Sequence, residues 1–180
     1  FGRGRPVVFL HGWLGSWRYW FPTMEVVAES FRAYSFDFWG FGDSRRKQTQ
    51  ESIQAYSDQV IRFLDALGID RVTLVGHSMG GMVALKTALS YPDRIQRVAT
   101  VGAPIDGDSL SWLLKLTDRP VLADAFARFP WLRRRLFRFF LGETSDPHVS
   151  EVIDDSVKSS ANTLRYAVSS MWRTDLRPEL

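Results

Sequence analysis

Residues 76–80 read Gly-His-Ser-Met-Gly, a serine with a glycine two positions to either side. A serine hydroxyl is a weak nucleophile at neutral pH until a base takes its proton. Ser78 therefore acts on a carbonyl only if the fold exposes its Oγ, supplies N–H donors for the oxyanion and brings up a base. The G-x-S-x-G spacing meets the first requirement. It makes a tight strand-to-helix turn that holds the serine in a strained backbone conformation, with glycines that let the chain pass without Cβ clashes. The helix that follows points its N-terminus at the site, so the Met79 N–H faces the oxyanion. His11-Gly12-Trp13 closes an earlier apolar run, and an N–H just after such a run is the second donor; Trp13 takes that role through its backbone. Trp13, His77 and Met79 then border the substrate.

Three histidines are available as the base: His11, His77 and His148. His11 belongs to the oxyanion turn. His77 neighbours the serine, but adjacent side chains at a sharp elbow point to different sides. His148, in "SDPHVSE", reads as a solvated loop histidine beside acidic residues. In "DFWGFGDS" (37–44), Asp37 and Asp43 could each serve as a triad acid, but an Asp/Gly loop that satisfies its own backbone N–H groups is the favoured reading.

These groups need elements to position them. Residues 6–12, 31–40, 71–78 and 97–104 are short apolar, β-branched runs that read as buried strands. Helical spacing predicts helices between the first two, at Met24, Val27 and Ala28; over 52–67, stopped by Gly68; and over 79–91, ended near Pro92. Buried strands alternating with helices make a parallel sheet covered on both faces. After Pro104 the pattern turns helical through residue 175, with Pro120, Pro130 and Pro147 as breaks. The expected architecture is α/β: a partial parallel sheet with helices on both faces (1–106) and an all-helical cap (107–180).

Composition narrows the function classes. At 45% hydrophobic and 24% charged, the 180 residues can bury a single core. The net charge of +3 is spread thinly apart from Arg133-Arg134-Arg135, and no basic and aromatic stripe marks a nucleic-acid site. There is no cysteine, which excludes disulfides and thiolate metal sites and fits a reducing compartment, so a cytoplasmic location is expected. No window approaches the roughly eighteen apolar residues of a membrane span. The aromatic and basic stretch 129–142 reads as a cap helix with Phe and Leu over a pocket and Arg in water, in preference to a helix lying on a membrane surface.

"HGW", "DFWGFGDS" and "GHSMGG", in that order and at those distances, resemble the α/β-hydrolase superfamily, in the branch with a helical cap that includes esterases, haloperoxidase-like enzymes, epoxide hydrolases and C–C bond hydrolases; serine at 78 disfavours the dehalogenase and epoxide-hydrolase members, which use Asp there. The resemblance covers 5–104 closely and 105–180 in general character. It implies Ser78 as nucleophile, Trp13 and Met79 as the oxyanion hole, no metal and no cofactor. It also implies a chain order of nucleophile, acid, histidine, with the histidine after a late strand that these 180 residues do not reach. The base is therefore expected beyond residue 180, and the chain is expected to stop before its returning strands. Asp106 in "GAPIDGD" occupies one position the superfamily uses for the acid; its alternative is a polar turn opening the cap. The reading is a serine-dependent hydrolase of ester-type or related acyl or C–C bonds acting through an acyl-enzyme on a small apolar substrate, with the 180 residues alone weakly active. The rival is a non-catalytic hydrolase-like binding scaffold. Either way, a sheet stopped after four strands invites self-association through its exposed edge.

Overall fold

The computed structural model describes residues 1–45, 51–141 and 147–180. Its sheet has strands β1 (Pro6–Leu10), β2 (Arg32–Ser35), β3 (Val72–His77) and β4 (Ile95–Val101), all parallel in the order β2-β1-β3-β4. Helices α1 (Phe21–Val27), α2 (Ile53–Ala66) and α3 (Met79–Ser90) make the crossovers. Side chains alternate across β1, and so do its two cores. Val8 and Leu10 pack with Leu74, Tyr56 and Met82 on one face, while Val7 and Phe9 pack with Trp20, Met24 and Ala33 on the other.

Helix boundaries follow local chemistry. The Ser52 hydroxyl accepts the Ala55 N–H at 3.1 Å and caps α2. Gly68, at φ 64°, ends that helix in a left-handed conformation. Beyond the sheet lie α4 (Trp112–Leu116), α5 (Pro120–Arg128), α6 (Pro130–Leu141), α7 (Pro147–Ser156) and α8 (Ala161–Arg173). Each expected proline break is the first residue of a helix, where a missing N–H costs nothing.

Helix α8 fastens this helical segment to the core, with Leu164, Ala167, Val168 and Met171 buried. The segment leaves and returns at one place. Gly107 N–H donates to Thr174 O and Leu176 N–H to Ile105 O, both at 3.0 Å, around an antiparallel bridge between Asp106 and Asp175.

Three sequence expectations are corrected. The second strand stops at Ser35 and does not run to residue 40, because the donors beyond it bond elsewhere: Phe38 N–H to His11 Nε2 (2.9 Å) and Trp39 N–H to the Gln59 side chain (3.1 Å). The fourth strand spans Ile95–Val101, and Ile95 is its one buried residue, because β4 lies at the sheet edge with β3 as its neighbour. Residue 148 belongs to α7 and not to a loop.

Candidate active site

Strand register builds the site. Leu10 pairs with Gly76, and His77 with Val101. The 11–13 turn and the 77–79 elbow therefore emerge side by side at the C-terminal ends of the strands, where open α/β sheets place their ligands.

Ser78 has φ 52° and ψ −118°, a conformation that residues with a Cβ rarely adopt. Its N–H is held by Val101 O at 2.9 Å, and its own carbonyl accepts from Gly81 and Met82 at the start of α3. The turn and the elbow are in contact. A methyl group on Gly12 would lie 3.3 Å from Ser78 Cβ and 3.0 Å from His77 Nδ1, and one on Gly80 would run into the carbonyls of Leu10 and His11. As the first residue of α3, Met79 has no carbonyl one turn back within the helix to receive its N–H. The Trp13 N–H has no hydrogen-bond partner among the described residues. Its indole is pinned to the helical segment, donating from Nε1 to Leu164 O at 3.2 Å and stacking on Phe126.

Both described imidazoles are engaged elsewhere. His11 is fully buried: Nδ1 lies 2.8 Å from Gly12 O, and Nε2 accepts the Phe38 N–H at 2.9 Å. That pattern requires a neutral ring protonated on Nδ1. Burial lowers its pKa, against the opposing pull of Asp37. His77 Nδ1 lies 3.2 Å from the Tyr19 hydroxyl, and burial also lowers its pKa. Among the described residues no imidazole is hydrogen-bonded to Ser78 Oγ. The His148 side chain lies outside what the structure describes.

The acids have structural partners. The Asp37 carboxylate accepts the N–H groups of Trp17 (2.7 Å) and Asp43 (2.9 Å), which is the self-satisfied loop expected from the sequence. Asp43 pairs with Lys158 (2.5 Å) and Arg18 (2.8 Å), and those bonds hold its pKa below the usual carboxylate value. Asp106 Oδ1 caps a 3₁₀ turn by accepting the Ser109 N–H at 3.0 Å, and its Oδ2 is 3.7 Å from Arg177. The carboxylate is thus engaged as the polar-turn alternative describes.

Two features had no legible sequence signal. The Tyr19 hydroxyl accepts the Gly12 N–H at 2.7 Å while it bonds His77, so one phenol ties the oxyanion turn to the elbow. Burial raises its pKa and keeps it protonated. Gly15 makes room for the ring, since a methyl there would sit 2.6 Å from Tyr19 Cε1. The second feature is an ionic cluster of Arg18, Asp43, Asp155 and Lys158, which clasps α7 to the core loops.

Among the described residues, no group of three or more His, Cys, Asp or Glu side chains could hold a metal, and no helix is long and apolar enough to cross a membrane. Two surface concavities, of 410 and 440 Å³, are lined by residues around Trp39 and around Tyr166, and Ser78 lines neither.

Comparison with known proteins brings in relatives. The family model described as alpha/beta hydrolase fold matches residues 5–173. A 2-hydroxymuconate semialdehyde hydrolase from Pseudomonas sp. (strain CF600) is 35% identical over 106 residues, 57% of this chain and 38% of its own length. A soluble epoxide hydrolase from Corynebacterium sp. (strain C12) is 35% identical over 97 residues, 54% of this chain and 34% of its own length. An esterase from Exiguobacterium antarcticum has the same fold, with a TM-score of 0.84 at 24% identity, over 100% of this chain and 70% of that one. The chain thus spans well under half the length of these two curated relatives.

Proposed function

The chain belongs to the α/β-hydrolase fold family, and from that membership we propose that it carries the nucleophile and oxyanion hole of a serine-dependent hydrolase acting on an ester-type or related acyl or C–C bond. The observation that carries this reading is the backbone of Ser78. A serine held at φ 52° between a strand and a helix costs stability, and the same geometry turns Oγ out of the chain's own hydrogen-bonding pattern.

In this mechanism Ser78 Oγ attacks the substrate carbonyl. The N–H groups of Trp13 and Met79 stabilise the oxyanion of the tetrahedral intermediate, which collapses by breaking the scissile bond and expelling the leaving group with the proton taken from Ser78; water then cleaves the acyl–Ser78 ester, releasing the acid and restoring the serine. Trp13, His77 and Met79 border the substrate, under a cap formed by the helices of 107–180. His11 has both ring nitrogens engaged and His77 Nδ1 faces the Tyr19 hydroxyl, so this reading assigns no base among the described residues. Asp106 could complete a triad only by giving up its Ser109 and Arg177 contacts. In this reading self-association would use the outer edge of β4, where Val101 is 55% exposed.

The test is p-nitrophenyl acetate turnover by the purified chain, with and without added imidazole as a substitute base, against Ser78→Ala. Without imidazole the expected rate is low, because oxyanion hole and binding alone leave a residual of about 10³–10⁴ over water. Imidazole should raise turnover beyond its own background only when Ser78 is present. Identical behaviour of wild type and Ser78→Ala under all conditions would reject the nucleophile and favour the scaffold reading. Fast Ser78-dependent turnover without imidazole would place the base within the chain.

A further inference from the structure

The turn between α5 and α6 carries an unusual surface. Phe129, Trp131 and Leu132 are 45%, 59% and 39% exposed, and the rings of Phe129 and Trp131 touch edge to face. Arg128 precedes them at the end of α5 and is exposed. Trp131, Arg135 and Arg138 are spaced i, i+4, i+7, which puts them on one face of α6, and both arginines are exposed. Among the described residues Arg128, Arg135 and Arg138 have no carboxylate partner, whereas Arg134 is paired with Asp154 at 3.0 Å.

The sequence expectation of Arg in water with Phe and Leu turned inward fails at Phe129, Leu132 and Arg133, while the side chains of Leu136, Phe137, Phe139 and Phe140 lie outside what the structure describes. Arg133 is the buried one, at 2% exposure, and its guanidinium donates to the carbonyls of Ala127, Ser156, Val157 and Ser159 at 3.0–3.1 Å. Those bonds lock the start of α6 onto the ends of α5 and α7. The aromatic residues are therefore held outward by a rigid mount.

Charge is segregated in the same place. Residues 112–141 contain seven Lys and Arg against two Asp, a local excess of +5 in a chain whose total is +3. Everything outside that stretch is net negative. Large apolar side chains flanked by unpaired arginines match an anionic bilayer surface: the rings enter the headgroup boundary while the guanidinium groups meet lipid phosphates.

We infer that the α5–α6 turn, through Arg128, Phe129, Trp131, Leu132, Arg135 and Arg138, docks the protein on anionic lipid surfaces. The test is co-sedimentation of the purified chain with phosphatidylcholine vesicles, with and without phosphatidylglycerol. Binding should require phosphatidylglycerol and fall with rising salt. It should weaken about fivefold per arginine replaced, or about 30-fold in the Arg128→Gln/Arg135→Gln double variant. Trp131→Ala with Phe129→Ala should remove most of the remainder, with an unchanged circular dichroism spectrum. No binding to anionic vesicles, equal binding to neutral ones, or wild-type binding by these variants would overturn the proposal. So would a dimer in sedimentation velocity that Trp131→Ala dissociates, since the occupant would then be a second copy.

Discussion

Replacing Ser78 by glycine and by alanine separates the strain of the elbow from its chemistry. Alanine keeps Cβ and therefore keeps the cost of φ 52°, ψ −118°, which is ~1–3 kcal/mol for a residue in so sparsely populated a region. Glycine removes that cost but loses ~0.5–1 kcal/mol relative to alanine through the greater freedom of the unfolded chain. The difference leaves Ser78→Gly more stable than Ser78→Ala by up to roughly 2.5 kcal/mol, opposite in sign to an ordinary Ala-to-Gly change. No described side-chain hydrogen bond of Ser78 confounds the comparison. Ser78→Ala should unfold in urea close to wild type, Ser78→Gly at a higher midpoint with the same slope, and neither should give imidazole-assisted acetate turnover. If Ser78→Gly proves less stable than Ser78→Ala, the elbow stores no strain and the argument from it fails.

Tyr19→Phe removes the hydroxyl that accepts the Gly12 N–H and pairs with His77 Nδ1. Stranding a partly buried N–H costs ~1–3 kcal/mol, so turnover should fall about tenfold with KM little changed if the loosened turn misplaces Trp13. Arg133→Leu leaves four carbonyls without their donor and should cost at least ~1–3 kcal/mol in urea unfolding; Arg133→Lys should recover only part of that, lacking the planar fork. His11 is buried neutral with its pKa lowered by burial, whereas in the unfolded chain the ring titrates near the ordinary histidine value of about 6.5. The unfolded state therefore takes up the proton first, and the His11 contribution to stability is complete above that value and shrinks as pH falls below it, by up to ~1.4 kcal/mol per pH unit. NMR should find the folded His11 ring titrating below its unfolded value, and a ring that titrates with ordinary affinity would contradict its burial as a neutral group.

Sequence alone determined what depends on neighbours within a few turns. The strand–serine–helix unit at 72–90, the helix that Gly68 ends, the proline breaks at 120, 130 and 147, and the Asp37–Asp43 turn follow from periodicity and backbone restrictions carried by adjacent residues. The order of the motifs was enough to place the chain among α/β hydrolases. Tertiary structure decided how polar groups were shared between distant segments. Phe38 N–H could have extended β2, but His11, 27 residues earlier in the chain, accepts it. Arg133 was expected in water, yet it satisfies carbonyls at the ends of two other helices. Tyr19 bridges Gly12 and His77 only because the Leu10–Gly76 register brings those strand ends level. A buried donor takes whichever acceptor the packing delivers, and that delivery is fixed by strand register and helix docking, which no local pattern encodes.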